Sequence, residues 1–536
     1  MAPVPLIIDT DPGIDDILAI ILALDRPDLV QLKAITLTFG NTTLDHCRNN
    51  MIQLFNILQK HIAEDSSESH RSKLAKTFAS SPITLSQGAT GPLGGQRFTA
   101  SYFHGRDGVS GITTLPGNPW PLPDKVPEPL QETEKAAHDV ILDTIRNNPP
   151  GTVRIAAVGP LTNIALAWQK DPETFSKVGG ISVMGAALDV PGNTTPCAEF
   201  NTFADPFAAK ELLHNAPLHP VLRKQGKRLP IDLLPLDITS IHLVPFERLC
   251  GDKIEKKGIL QKYLNAILAS PRKNMNSYAD PDKPFDPAVN DLFQSHDPLA
   301  VGHAMFCPSP VQRLGQLPDN ESLNNQAYEG WQMKTREFGI ETEGALTRGY
   351  CVVDRRAHGK VKAGHSRVEK EAPVSGTNED SVKVAPKENV LQKFIEQNPE
   401  GERNEGLRKS LNGKNNNILL AKGASHPIQG LTYNSSDYHG KDGLGDISTL
   451  PDNPWPIPNC IPDPLVGTQK TADEVILDIL RTHDKNTVRI VSLAPLTNLT
   501  LAWQKDPETF ARVGGISAMI GNLDVAGNVS VLPERQ

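Results

Sequence analysis

The sequence predicts an α/β protein: an open, mainly parallel central sheet flanked by helices, followed by a truncated repeat of its middle part. Three observations carry this expectation. Apolar runs of strand length alternate with segments of helical period, the first run ends in a knot of aspartates at a helix start, and residues 83–201 occur a second time.

The elements follow in order. Val4–Ile8 reads as a strand that passes into a helix over Ile14–Leu24, where Ile14, Ile17, Leu18, Ile21 and Leu22 keep the spacing of one buried face. Leu32–Thr38 is a second strand and His46–Gln59 a second helix, while the polar stretch His61–Ser81 reads as a surface loop. Val153–Val158, Leu161–Gln169 and Ile181–Met184 then give strand, helix and strand. Strands alternating with helices pair in parallel, with helices on both faces. Ligands of such sheets sit at the carboxyl ends of the strands.

The chain has 536 residues, 38% of them apolar and 22% charged, a composition that excludes wholesale disorder and allows more than one domain. Lys and Arg number 54 against 62 Asp and Glu. Nucleic-acid and anionic-membrane binding rely on a basic surface, so neither is expected, and a neutral or cationic small molecule is the expected partner. The longest early apolar run, Ile17–Leu24, falls far short of the roughly 20 residues of a spanning helix. No basic stretch precedes the first apolar run, as it would in a secretory signal. Cys47, Cys197, Cys250, Cys307, Cys351 and Cys460 lie far apart with no C-x-x-C pair, which argues for reduced thiols and a cytoplasmic protein.

Residues 83–201 realign on 418–536 at a constant offset of 335, without a gap. Between Gly151–Asn193 and Asn486–Asn528, 29 of 43 positions are identical, including LAWQKDPETF in both copies. A single long repeat is a partial duplication and not a solenoid. Between the copies, Arg355–Gly376 and Pro399–Asn417 are rich in Lys, Glu, Asn and Gly and read as loop and linker. A strand at Ser381–Ala385 and a helix at Glu388–Gln397 are expected to complete the first domain. The expected organisation is a catalytic domain over 1–398, a linker over 399–417, and a partial, non-catalytic repeat over 418–536.

The most informative stretch is Asp9-Thr10-Asp11-Pro12-Gly13-Ile14-Asp15-Asp16, with four carboxylates where a strand gives way to a helix. A single pair of aspartates would simply cap the helix. Four call for a cation, and all-oxygen ligands suit Mg²⁺ or, for a multi-carboxylate pocket, Ca²⁺. An EF-hand is excluded, because Gly13 and Ile20 occupy its third and last acidic positions. Two alternatives stay open: a Mg²⁺-dependent phosphohydrolase of haloacid-dehalogenase type, which also opens with strand-D-x-D, with Asp9 as nucleophile, and a non-catalytic binding or scaffold protein.

DTDPGIDD after an apolar strand resembles the signature of the inosine/uridine-preferring nucleoside hydrolases. Gly40-Asn41, His104-Gly105 in YFHGRDG, VGPLTN at Val158 to Asn163, Met184-Gly185, Asn193, Glu199-Phe200-Asn201 and His296-Asp297-Pro298 occur in the family's order. The resemblance covers about residues 1–398. It implies a mainly parallel open sheet, N-glycosidic hydrolysis of ribonucleosides in purine and pyrimidine nucleoside catabolism and salvage, and a homodimer or homotetramer. It further implies that Asp11, Asp16, the Val158 carbonyl and Asp297 hold Ca²⁺, with Asp11 also the base toward water. Asp15, Asn41, Met184, Asn193, Glu199 and Asn201 would hold the ribose, and His104 and His296 would lie at the base as catalytic groups. Taken alone, Gly159-Pro160 with Thr162-Asn163 reads as an ordinary strand-to-helix turn without side-chain function.

The chemistry suits these residue types. Breaking the bond between C1′ and the base nitrogen develops oxocarbenium character on the sugar, which carboxylates stabilise. Acid-base help from a positioned Asp or His contributes on the order of 10² to 10⁴ in rate. In the second copy His439, Leu493, Met519 and Asn528 stand for His104, Val158, Met184 and Asn193, but DTDPGIDD has no counterpart and Glu199-Phe200-Asn201 becomes Glu534-Arg535-Gln536. That copy cannot build the metal site by itself.

Overall fold

Strand β1 (Val4–Thr10) is buried from Leu6 onward, and its alternating side chains serve two cores at once. Leu6 and Ile8 join one apolar cluster and Ile7 the other. A strand buried on both faces belongs in the middle of a parallel sheet. It pairs in parallel with β2 (Val30–Leu37) on one side and β5 (Arg154–Ala157) on the other. With β3 (Ile83–Gln87), β4 (Leu130–Thr133), β6 (Gly180–Met184) and β7 (Ile231–Leu234), the sheet order is β4-β3-β2-β1-β5-β6-β7, parallel throughout. The winding reverses between β1 and β5, so the crevice beyond their carboxyl ends is the place for a ligand.

This computed structural model describes residues 3–353 except 65–68, 115–116, 225–226, 254–257, 278, 280–282, 308–326, 329–330 and 333–335, and further on residues 418–425, 427–428 and 465–519. Two compact units divide after Asp354. The strand expected at Ser381–Ala385, the helix at Glu388–Gln397, the linker 399–417 and the domain end at 398 lie outside the described residues.

Helices α1 (Ile14–Leu24), α2 (Leu44–Ala63), α6 (Ile259–Asn276) and α7 (His296–Phe306) contribute to one apolar cluster, and α4 (Ala137–Arg146) and α5 (Thr162–Lys170) to the other. The fully buried stripe of α1 is Ile14, Ile17, Ile20 and Leu24, whereas Leu18, Ile21 and Leu22 are only partly buried. The expected stripe is thus shifted, because α7 packs on α1 as well as the sheet and the apolar side chains run around the helix.

The stretch expected as a loop holds a helix, α3 (Ser69–Ser80). Leu74 is buried, Phe78 stacks on Phe55 with ring centroids 5.6 Å apart, and Thr77 Oγ1 donates to the Leu24 carbonyl at 2.6 Å. A single apolar pair at i, i+4 anchors the helix, too little to stand out in a polar sequence. Among the described residues, no helix is long and apolar enough to cross a membrane.

The second unit repeats pieces of the same architecture. Ile418–Lys422 pairs in parallel with Leu465–Thr471, and Arg489–Ser492 with Gly515–Ala518. These are counterparts of β3 with β4 and of β5 with β6, while among the described residues the strands that stand between those pairs in the first unit have no copy. Positions sealed in the first unit are therefore open here: Val158 is 1% exposed but Leu493 78%, and Met184 3% but Met519 69%.

Candidate active site

The acidic loop leaves β1 at the switch point. Asp9, Asp11 and Asp16 are fully buried. Asp9 Oδ1 accepts from Thr36 Oγ1 at 2.6 Å and from Asn163 Nδ2 at 2.8 Å. Asp11 Oδ2 accepts the backbone N–H of Asn41 at 2.6 Å. Asp16, in the first turn of α1, accepts from Thr10 Oγ1 at 2.5 Å, from Gly13 N–H at 2.9 Å and from Asn41 Nδ2 at 3.0 Å. The bond to Gly13 also caps the helix. Asp297, at the second position of α7, closes the cluster: single carboxylate oxygens of Asp15, Asp16 and Asp297 lie within 4.8 Å of one another.

Crowded, dry carboxylates resist ionisation. Burial raises Asp9 to about 7, against the hydrogen bonds of Thr36 and Asn163. Burial and then the charge of Asp16 raise Asp15 to about 7 and push Asp11 well above the usual range. Burial and then the charges of Asp15, Asp16 and Asp11 do the same to Asp297. Among the described residues, no Lys or Arg hydrogen-bonds to Asp11, Asp15, Asp16 or Asp297. Asp11 Oδ1 and Asp15 Oδ1 are buried without a partner. Such orphaned oxygens are costly, and a hard divalent cation is the partner that an all-oxygen set fits.

The neighbouring strand ends complete the crevice. Asn201 Nδ2 donates to the Val158 carbonyl at 2.9 Å and to the Met184 carbonyl at 3.2 Å, joining the ends of β5 and β6. The Glu199 carboxylate accepts the backbone N–H groups of Asn201 (2.6 Å), Thr202 (2.9 Å) and Ala186 (2.9 Å), capping the short helix Phe200–Ala204. Asn193 Oδ1 accepts from the N–H of Phe200 at 2.9 Å. These residues therefore scaffold one another.

His104 is brought to the acidic loop, where its Nδ1 accepts the N–H of Ile14 at 3.2 Å. That bond places the proton of the neutral ring on Nε2. Gly13 permits the approach, since a Cβ there would lie 2.6 Å from His104 Nδ1. Burial, with the nearby His296, lowers His104 to about 3, and burial lowers His296 to about 4. His296 Nδ1 is 2.8 Å from Thr239 Oγ1 and its Nε2 3.2 Å from Gln294 Oε1.

A family model described as inosine-uridine preferring nucleoside hydrolase matches residues 6–388 and, again, 405–535. The chain belongs to this family. Ribonucleoside hydrolysis is the family's chemistry, and membership sets the phosphohydrolase alternative aside. An uncharacterized protein of Schizosaccharomyces pombe is 35% identical over 350 residues, 65% of this chain and 88% of that protein. The pyrimidine-specific ribonucleoside hydrolase RihA of Shewanella oneidensis is 34% identical over 357 residues, 66% of this chain and 86% of that protein. Among solved structures, a purine-preferring ribonucleoside hydrolase from Gardnerella vaginalis aligns over 67% of this chain and 91% of its own, at 24% identity and a TM-score of 0.44.

For this family member, three supporting residues escaped the sequence reading. Asn163, assigned there to a plain turn, is fully buried: its Nδ2 donates to Asp9 and to the Leu37 carbonyl (3.0 Å), and its Oδ1 accepts from Ala89 N–H (2.8 Å). Asp107 folds the loop after His104, accepting from the N–H groups of Val109 (3.0 Å), Gly111 (2.8 Å) and Thr113 (2.9 Å) and from the Thr113 hydroxyl (2.7 Å). Asn50 donates from α2 to two site loops. An Asn or Asp amid polar neighbours gives no local signal of such contacts.

Proposed function

We propose that the chain is a Ca²⁺-dependent ribonucleoside N-ribohydrolase that releases free base and ribose. The observation that carries this reading is the cluster of Asp15, Asp16 and Asp297, with the orphaned Asp11 Oδ1 and Asp15 Oδ1, at the carboxyl ends of parallel strands.

Asp11, Asp16, Asp297 and the Val158 carbonyl would hold the cation; that carbonyl gives one lone pair to Asn201 and keeps another. When bound, a divalent cation acidifies and orients water and adds charge beside the sugar hydroxyls. Asp11 takes the proton of the attacking water at Oδ1. Asp15, Asn41, Asn193, Glu199 and Asn201, with Met184, orient the ribose, and the carboxylates among them favour positive charge at C1′. His104 and His296 stand at the base; the neutral His104 ring offers its Nε2–H, and a hydrogen bond from an imidazole N–H stabilises charge on the departing nitrogen.

Every group named here belongs to the compact unit of residues 1–354. We read the organisation as a catalytic domain over 1–398, a linker over 399–417 and a non-catalytic repeat over 418–536, acting on small nucleosides in the cytoplasm as a homodimer or homotetramer.

The test is ribose release from inosine, uridine, cytidine and adenosine, with Ca²⁺ and with chelator. Chelator-sensitive release supports the reading. Nucleoside binding without turnover, with Ca²⁺ supplied, replaces it with the non-catalytic alternative.

A further inference from the structure

Helix α2 starts just after the Gly40-Asn41 turn, and side chains four residues apart reach from it, and from just ahead of it, to the loop that follows His104. Thr42 Oγ1 donates to the Arg106 carbonyl at 2.7 Å, and His46 Nδ1 lies 3.0 Å from the same carbonyl. One turn on, Asn50 Nδ2 donates to the Pro12 carbonyl at 2.9 Å and to the Asp107 carbonyl at 2.8 Å. Pro12 follows Asp11 in the aspartate loop; Asp107 lies three residues after His104. Asn50 is 1% exposed, and both hydrogens of its amide nitrogen are engaged.

Few side chains can do this. Two buried carbonyls facing one point need one nitrogen with two hydrogens; a carboxylate would repel both, and an apolar side chain would leave both unsatisfied. The loops are built to admit it: Gly108 has a φ of +80°, and a Cβ there would lie 3.0 Å from Asn50 Nδ2 and 3.2 Å from the Pro12 carbonyl. The same two loops are also joined by the hydrogen bond from Ile14 N–H to His104 Nδ1.

We infer that Asn50 is a positioning residue for the hydrolysis: by tying the Pro12 carbonyl to the Asp107 carbonyl it keeps His104 on the Ile14 N–H, with the ring proton on Nε2. The inference rests on the role proposed for His104 above. Asn50 acts through the two loops and touches no substrate. Removing it frees two buried carbonyls to turn toward water, the loops separate, and His104 loses the bond that selects its tautomer.

The full-length Asn50→Ala and Asn50→Leu proteins test this against Thr77→Val, which removes the buried bond from Thr77 to the Leu24 carbonyl away from both loops. Asn50→Ser, retaining one donor, gives the same readouts with less disruption. Each protein is measured for kcat and KM on uridine and inosine, for Tm, and for the imidazole ¹⁵N shifts of His104, assigned with His104→Gln. The Asn50 variants are expected to lose about 10²-fold in kcat, the scale of a 1 Å misplacement, with a much smaller change in KM. Their His104 shifts move from a single Nε2–H tautomer to an averaged pattern, while Thr77→Val keeps kcat and tautomer at a comparable loss of Tm. Wild-type kcat in the Asn50 variants, an unchanged His104 tautomer, or an equal kcat loss in Thr77→Val overturns the inference. Should the wild-type protein release no ribose, the hydrolase reading falls, and the tautomer shifts still decide whether Asn50 holds His104.

Discussion

The backbone N–H of Asn41 donates to Asp11 Oδ2 at 2.6 Å and leaves Asp11 Oδ1 buried with no partner. One oxygen is fixed by the chain and the other is free for chemistry. Asp11→Asn keeps an acceptor for Asn41 but loses the charge. Ribose release is expected to fall by at least about 10³-fold, combining loss of a base and of a metal ligand. Without Ca²⁺, its Tm should equal or exceed that of the wild type, because a crowded buried carboxyl is gone. Ribose release at the wild-type rate would remove Asp11 from the mechanism.

Cation binding should stabilise the fold by mass action. Ca²⁺ at about 100 times its Kd adds about 2.7 kcal/mol. Calorimetric scans with Ca²⁺ and with chelator should show this rise in Tm, and Asp297→Asn should abolish most of it. Identical scans would exclude a cation from the aspartate cluster.

Gly40 touches the same carboxylate. A Cβ at this position would lie 1.9 Å from Asp11 Oδ2, so Gly40→Ala forces either the turn or Asp11 to move. A loss of about 10²-fold in kcat or more is expected. Because the hydrogen bond between Asn41 and Asp11 breaks as well, the melting curve with chelator should also shift down.

Asp107 links pH to stability. Burial acts to raise its carboxyl, but the bonds from Thr113, Val109 and Gly111 together outweigh burial and hold it below the usual carboxylate range. A lowered carboxyl stabilises the fold above its unfolded pKa, and the contribution fades as pH falls through the folded pKa. Asp107→Asn should cost about 1–3 kcal/mol at pH 7, with a gap to wild type that closes below about pH 4. A gap independent of pH, measured by urea unfolding, would show that charge on Asp107 contributes nothing.

Much of this was legible in the sequence because the signals were local. An apolar strand, four aspartates and a helical stripe lie within residues 4–24, and they place a cation-seeking loop at a strand end by local pattern alone. What was illegible depends on distant contacts. Asp297 meets Asp15 and Asp16 only through the packing of α7 on α1. The carboxylate of Glu199 caps a helix and also takes the N–H of Ala186 beyond β6. Asn163 lies in an unremarkable turn motif, yet it binds groups from β1, β2 and the segment after β3. The helix α3 was missed because only Leu74 and Phe78 mark its buried side.

The incomplete second unit has a consequence for refolding. Its strand Arg489–Ser492 is bonded to one neighbour among the described residues, and the other edge matches the edge of β5 that β1 occupies in the first unit. With 29 of 43 surrounding positions identical in the two copies, it is a decoy for the chain's own first strand. On the ribosome, β1 and β5 emerge long before the decoy does, and vectorial synthesis protects the right pairing. Diluted from denaturant, the whole chain offers both edges at once, so native yield should fall as the decoy competes, while a chain ending at residue 398 should refold freely.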